Sequence, residues 1–116
     1  AGDGELVDAG ERILDLILHA DPALTRDLVA RRLRPLDDLP PATRARLEET
    51  LAAWLDHHGE ARPAAEALHV HVQTVRYRLN QLHDLFGTAL HDPRARLELQ
   101  LALHARQRLI RTGRRG

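Results

Sequence analysis

The chain has no cysteine, which excludes disulfides, thiolate metal centres and a cysteine nucleophile. It also has no serine, lysine or methionine, so all 17 basic side chains are Arg and the commonest hydroxyl nucleophile is missing. No apolar run approaches the ~20 residues of a membrane span, and no signal peptide opens the chain. A cytoplasmic location is therefore expected, with no membrane partner. The missing initiator methionine fits processing, and a piece of a longer protein is the expectation. Gly-rich phosphate loops and HExxH-type patterns are absent as well. No catalytic residue, metal ligand or cofactor is expected, and the chain reads as a non-enzyme. Eight histidines are present. His19, His57, His58, His69, His71, His83, His91 and His104 show no ligand-like spacing to each other or to a third carboxylate.

The formal net charge of zero hides an asymmetry. Residues 1–60 carry 13 acids and 7 Arg, whereas residues 61–116 carry 4 acids and 10 Arg. A basic C-terminal half suits a phosphate-binding surface, although a solvated basic face has the same composition.

Apolar periodicity is helical throughout, with no period-2 alternation, so the fold class is all-α with about six helices. The first helix runs from about Glu5 to His19, after Ala1–Gly4, which look disordered. Its ILDLIL segment is apolar nearly all round and is expected to be buried on more than one side. Asp21-Pro22 is an N-cap followed by Pro at the first helical position. It opens a second helix to about Leu33, with Leu24, Leu28 and Leu33 inward. Pro35 ends that helix, and residues 36–40 form a connector in which Asp37-Asp38 is a solvated turn. The third helix, Pro41 to His57, puts Leu47, Leu51, Trp54 and Leu55 on one face and Glu48-Glu49 outside. Gly59 is suited to its left-handed C-terminus. Two short helices follow at about Arg62–Leu68 and Val72–Leu85, with Gly87 a C-cap. Asp92-Pro93 starts the last helix, down which Leu97, Leu101, Ala105 and Leu109 run to about Arg111. Thr112 to Gly116 should fray, though Arg111, Arg114 and Arg115 could touch phosphate as a tail. Three parts are expected: residues 1–40 as a connector for dimerisation or docking, 41–111 as the main domain, and 112–116 as a tail.

The two short helices of that domain are separated by His69-Val70-His71. Ala64, Ala65 and Leu68 form the apolar face of the first, and Val75, Leu79 and Leu82, at i, i+4 and i+7, that of the second. Small alanines allow a close crossing, and Val70 can plug the angle between the helices. This is the helix-turn-helix plan, in which the second helix offers its polar side to the DNA major groove. That polar side carries Gln73, Thr74, Arg76, Tyr77 and Asn80.

The run from Leu47 to Leu103 resembles the C-terminal domain of PucR-type transcriptional regulators, a group that includes CdaR-like sugar-diacid regulators. The shared features are the leucine/tryptophan helix, Ala65 and Leu68, the Val70-His71 turn and the Thr74-Val75-Arg76-Tyr77-Arg78-Leu79 segment. Gly87 and Asp92-Pro93 leading into Arg96-Leu97-Glu98-Leu99 complete the pattern. Residues 11–36 resemble, more weakly, the connector that precedes this domain. The resemblance implies a Fis-like helix-turn-helix core flanked by an N-terminal helical pair and a C-terminal helix. It also implies a bacterial regulator of catabolic genes, with sensory or GGDEF-like domains upstream. Two departures stand out. Val72-Gln73 stands where a basic residue and Asn are common, and His69 occupies the turn position often given to Gly, a conformation His tolerates better than most residues.

Side-chain chemistry then suggests roles on double-stranded operator DNA. Gln73 can pair bidentately with adenine and Arg76 with guanine O6 and N7. Tyr77 can pack on sugar or a thymine methyl, or else sit at the core edge. His71 is a helix N-cap substitute beside the DNA, where protonation would make binding pH-dependent. Thr74, Arg78 and Arg62 suit phosphate contacts, with Arg78 alternatively solvated beside Gln81. A homodimer would place two such helices ~34 Å apart. The competing reading is an α-helical protein-interaction module that uses ILDLIL as its contact surface.

Overall fold

The protein is described here from a computed structural model covering residues 12–115, with side chains described to residue 108. The expectations for Ala1–Gly4, for a helix start near Glu5 and for the side chains of Leu109, Arg111, Arg114 and Arg115 lie outside those residues. Six helices follow one another: α1 (residues 12–20), α2 (Pro22–Arg32), α3 (Pro41–Asp56), α4 (Ala61–Leu68), α5 (Val72–Phe86) and α6 (Pro93–Arg115). Short 3-10 turns at Arg34–Leu36 and Gly87–His91 join them, and no strand occurs among the described residues. The all-α class read from periodicity is the class found. The last helix continues to Arg115 rather than stopping near Arg111.

Local chemistry sets the helix ends. Asp21 Oδ1 accepts the Leu24 N–H at 3.0 Å with Pro22 behind it, and Asp92 Oδ2 accepts the Ala95 N–H at 2.8 Å ahead of Pro93. Both Asp-Pro pairs thus satisfy amide donors that a helix N-terminus leaves orphaned. The C-terminus of α3 closes in a Schellman turn: Gly59 N–H donates to Trp54 O at 2.8 Å and His58 N–H to Leu55 O at 3.2 Å. The left-handed closing residue is His58, with φ 59°, and Gly59 follows it at φ 77°. The turn therefore needs two successive positive φ angles, one more than the sequence suggested.

The core is built around α3. Leu47, Leu51, Trp54 and Leu55 are buried there against Ala64 and Ala65 of α4, Val75, Leu79 and Leu82 of α5, and Leu99, Ala102 and Leu103 of α6. Fully burying a leucine is worth about 1.5–3 kcal/mol, so this aliphatic cluster supplies most of the driving force. Leu33, Leu36 and Leu90 complete it from the connections, each 1% exposed or less. The connector after α2 is therefore pinned by Leu36 in the same core, while Asp37 and Asp38 remain exposed.

Four expectations about which residues face inward are corrected. In α6 the buried residues are Ala95, Leu99, Ala102, Leu103 and the expected Ala105, whereas Leu97 is 57% exposed. Helix α6 packs on both α2 and α3, so two apolar stripes run along it and tertiary contacts choose between them. Leu24 of α2 is 62% exposed, at the edge of a covered face made by Thr25, Leu28, Val29 and Arg32, whose Nε meets Glu98 Oε1 at 2.9 Å. Glu48 is not a solvent residue: Arg106 Nη1 of α6 lies 3.0 Å from its Oε1 and both side chains are largely covered. Finally, α1 is buried on one side only. Leu18 is 8% exposed, but Ile13, Leu16 and Ile17 are each more than half exposed. Asp15 holds α1 to α6 through His104 Nε2 and Arg108 Nε, both at 3.2 Å.

Candidate nucleic-acid interface

Helices α3, α4 and α5 form a three-helix unit in which each packs on the other two. Ala64 and Ala65, 0% and 3% exposed, let the backbone of α4 approach its neighbours closely. Helix α4 ends in a second Schellman turn, with Val70 N–H donating to Ala65 O at 3.1 Å and His69 N–H to Glu66 O at 3.2 Å. His69 takes the left-handed conformation at φ 58° and ψ 41°. Val70 is half-buried in the angle between the helices, and His71 returns to extended backbone.

His71 then starts α5. Its Nδ1 accepts the Gln73 N–H at 3.0 Å, which is the geometry of an N-cap made by an imidazole in place of a carboxylate or hydroxyl. The capping form has a bare Nδ1 and its hydrogen on Nε2, so the neutral ring still presents a donor from its other nitrogen. A ring protonated at Nδ1 loses the cap.

From that start, α5 separates its faces cleanly. Val75, Leu79 and Leu82 are buried, while Gln73, Arg76, Tyr77 and Asn80 lie outward at i, i+3, i+4 and i+7. Tyr77 is 67% exposed, outside the core. Thr74 is half-buried on the flank that faces α3. Arg78 is also half-buried, and its Nη1 donates to Thr50 Oγ1 of α3 at 3.2 Å. Thr50 is the fully buried polar residue of the core, at 0% exposure, and this bond satisfies its hydroxyl. Arg62 is exposed in the first turn of α4, on the element that precedes the turn. Among the described residues, α5 has no carboxylate before Asp84, so its N-terminal two-thirds presents only neutral and cationic groups.

Thr50 went unnoticed in the sequence because it sits within the leucine stripe of α3. A polar residue between Leu47 and Leu51 on an inward face is a signal that it must find a partner. The scattered histidines serve other ends. His58 and His69 close α3 and α4 in the left-handed conformation, and His83 stacks on His91 with ring centroids 4.9 Å apart beside Trp54. Among the described residues no group of three or more His, Asp or Glu is placed to hold a metal ion.

Comparison with known proteins agrees with this geometry. Residues 47–105 match the family model described as the PucR C-terminal helix-turn-helix domain. The purine catabolism regulatory protein of Bacillus subtilis is 35% identical, over 68% of this chain and 17% of that protein. The carbohydrate diacid regulator of Escherichia coli is 40% identical, over 49% of this chain and 15% of that protein. An uncharacterised protein of Thermomonospora curvata is 36% identical, over 78% of this chain and 48% of that protein. The chain thus spans less than half the length of these relatives. No solved structure matches it significantly.

Proposed function

From the premise that the chain belongs to the family of PucR C-terminal helix-turn-helix domains, we propose that it reads operator DNA for a bacterial regulator of catabolic genes. The observation that carries this reading is the exposed polar face of α5, capped by His71 and backed by α4 across the turn. A major groove about 12 Å wide admits such a helix, with its N-terminal residues against the base edges. Gln73 reads adenine, Arg76 reads guanine, and Tyr77 packs on sugar or a thymine methyl. His71 adds a donor from Nε2 at the helix start. Thr74, Arg78 and Arg62 contact phosphates, with Arg78 held in place by Thr50. The full-length protein carries its sensor upstream, residues 1–40 link the two, and the whole works in the cytoplasm. Among the described residues no helix is long and apolar enough to cross a membrane.

Fluorescence anisotropy with a duplex from upstream of the protein's own gene, beside a scrambled duplex at two salt concentrations, tests this. Tighter binding to the native duplex that weakens steeply with salt is the expected result. Absence of binding to either at low salt overturns it.

One observation favours a second reading, in which α1 is a contact surface for protein. Ile13, Leu16 and Ile17 leave adjoining apolar side chains in solvent. A homodimer through α1 is the form this takes, and it is compatible with DNA reading. Sedimentation equilibrium should show association that Leu16→Glu abolishes; a monomer at high concentration removes the dimer and leaves the DNA reading intact.

A further inference from the structure

Helices α3 and α5 enclose an open groove of about 310 Å3 that the helix-turn-helix motif itself does not contain. Its walls are Thr43 and Arg46 from the first turns of α3, and Thr74, Tyr77, Arg78 and Gln81 from α5. Leu47 forms the apolar floor. No carboxylate lines the groove, although the N-terminal half of the chain is acidic. Neither Arg46 nor Arg78 stands in an ion pair with a carboxylate among the described residues. Two guanidinium groups, three hydroxyls and a carboxamide thus converge on one trough, a donor-rich set matched to non-bridging phosphate oxygens.

We infer that this groove holds the phosphodiester backbone of one DNA strand, with Arg46 and Thr43 of α3 as backbone contacts in addition to those of the helix-turn-helix. The inference rests on the DNA reading above. It follows from where the groove lies relative to the outward face of α5. A helix in the major groove has a phosphate chain on each side. Arg62, exposed in the first turn of α4, is the contact assigned above to one of these chains. The groove runs along the flank of α5 that faces α3 and opens beside Tyr77, which is 67% exposed. Arg78 is already oriented by its bond to Thr50 and loses little further freedom on meeting phosphate. Arg46 is exposed on the outer wall and supplies the second charge. The site therefore fixes the roll of α5 in the groove and carries no base information.

The test compares wild type with Arg46→Ala and Arg46→Glu on the native and scrambled duplexes across a salt series, with Arg76→Ala as the base-reading control. Arg46→Ala should weaken both duplexes by the same factor, roughly three- to tenfold, and reduce the magnitude of the log–log salt slope by about 0.9. Arg46→Glu should weaken both further, and both variants should melt with wild-type circular dichroism because the side chain is exposed. Unchanged affinity and slope for both variants, on duplexes that wild type binds, overturn the groove and leave the DNA reading standing. A loss confined to the native duplex with an unchanged slope also overturns it, since it makes Arg46 a base reader. Failure of wild type to bind either duplex overturns the groove together with the reading beneath it.

Discussion

Replacing Gly59 with Ala tests how firmly α6 is clamped to α3, the helix against which α5 packs. Gly59 has φ 77°, and a Cβ built there would stand 2.5 Å from the Arg96 guanidinium, which covers the Trp54 ring at 5.0 Å. The methyl group therefore acts twice. An L-residue forced into the left-handed region costs about 1–2 kcal/mol, partly offset by the stiffer unfolded chain, which returns about 0.4–1 kcal/mol. Arg96 is flexible enough to move away, but it then gives up a cation–π contact of about 0.5–1 kcal/mol at a half-exposed site. The expected net loss is about 1.5 kcal/mol, or on the order of 10 °C in Tm for a domain of this size. Urea unfolding followed through the single Trp and by circular dichroism measures it, and Arg96→Ala completes a double-mutant cycle. In the Arg96→Ala background Gly59→Ala should cost about 0.5–1 kcal/mol less, because only the backbone part remains. A Gly59→Ala variant within about 0.5 kcal/mol of wild type would mean that the added methyl strains neither the backbone nor the Arg96 contact. Equal costs in the two backgrounds would show that the glycine does not make room for Arg96.

Other residues give sharper tests of single links. His71→Ala should lose about 1 kcal/mol of stability by urea unfolding, while His71→Asn, which can cap, should lose much less. His69→Val should cost about 1–2 kcal/mol because a β-branched residue is forced to φ 58°, whereas His69→Gly should fold normally. The Glu98 carboxyl is held below its usual range chiefly by the hydrogen bond from Arg32. Its folded pKa is depressed, so its contribution is present at neutral pH and is lost as pH falls below the ordinary carboxylate value. Glu98→Gln should accordingly flatten the acid limb of a Tm-against-pH curve, and an unchanged limb would assign acid unfolding to other carboxylates. Leu51→Ala, at a site 0% exposed, should cost about 2–5 kcal/mol, the range for a cavity that cannot collapse.

Much of the fold is legible in the chain because its signals are short-range. The Asp21-Pro22 and Asp92-Pro93 starts, the leucine stripe of α3 and the split of α5 into two faces all depend on residues within a turn or two of each other. The same holds for His69, whose strain follows from closing α4 in a Schellman turn at a position often given to glycine. The outward polar face of α5 was visible for the same reason: once Val75, Leu79 and Leu82 face inward, Gln73, Arg76 and Tyr77 face out.

Local pattern thus accounts for the set of helices, the turn between α4 and α5, and the chemistry of the face that α5 shows to solvent. Long-range packing set the rest. It chose Leu99 over Leu97 on α6, which has two usable apolar stripes. It turned Arg78 toward Thr50, 28 residues away, and brought Asp15 to His104, 89 residues away. It left Ile13, Leu16 and Ile17 uncovered although their run reads as buried, and it set α3 beside α5 so that Thr43 and Arg46 share a groove with Arg78. Helical periodicity states which residues share a face. Which face meets which helix depends on packing between segments far apart in the chain, and no local pattern records that.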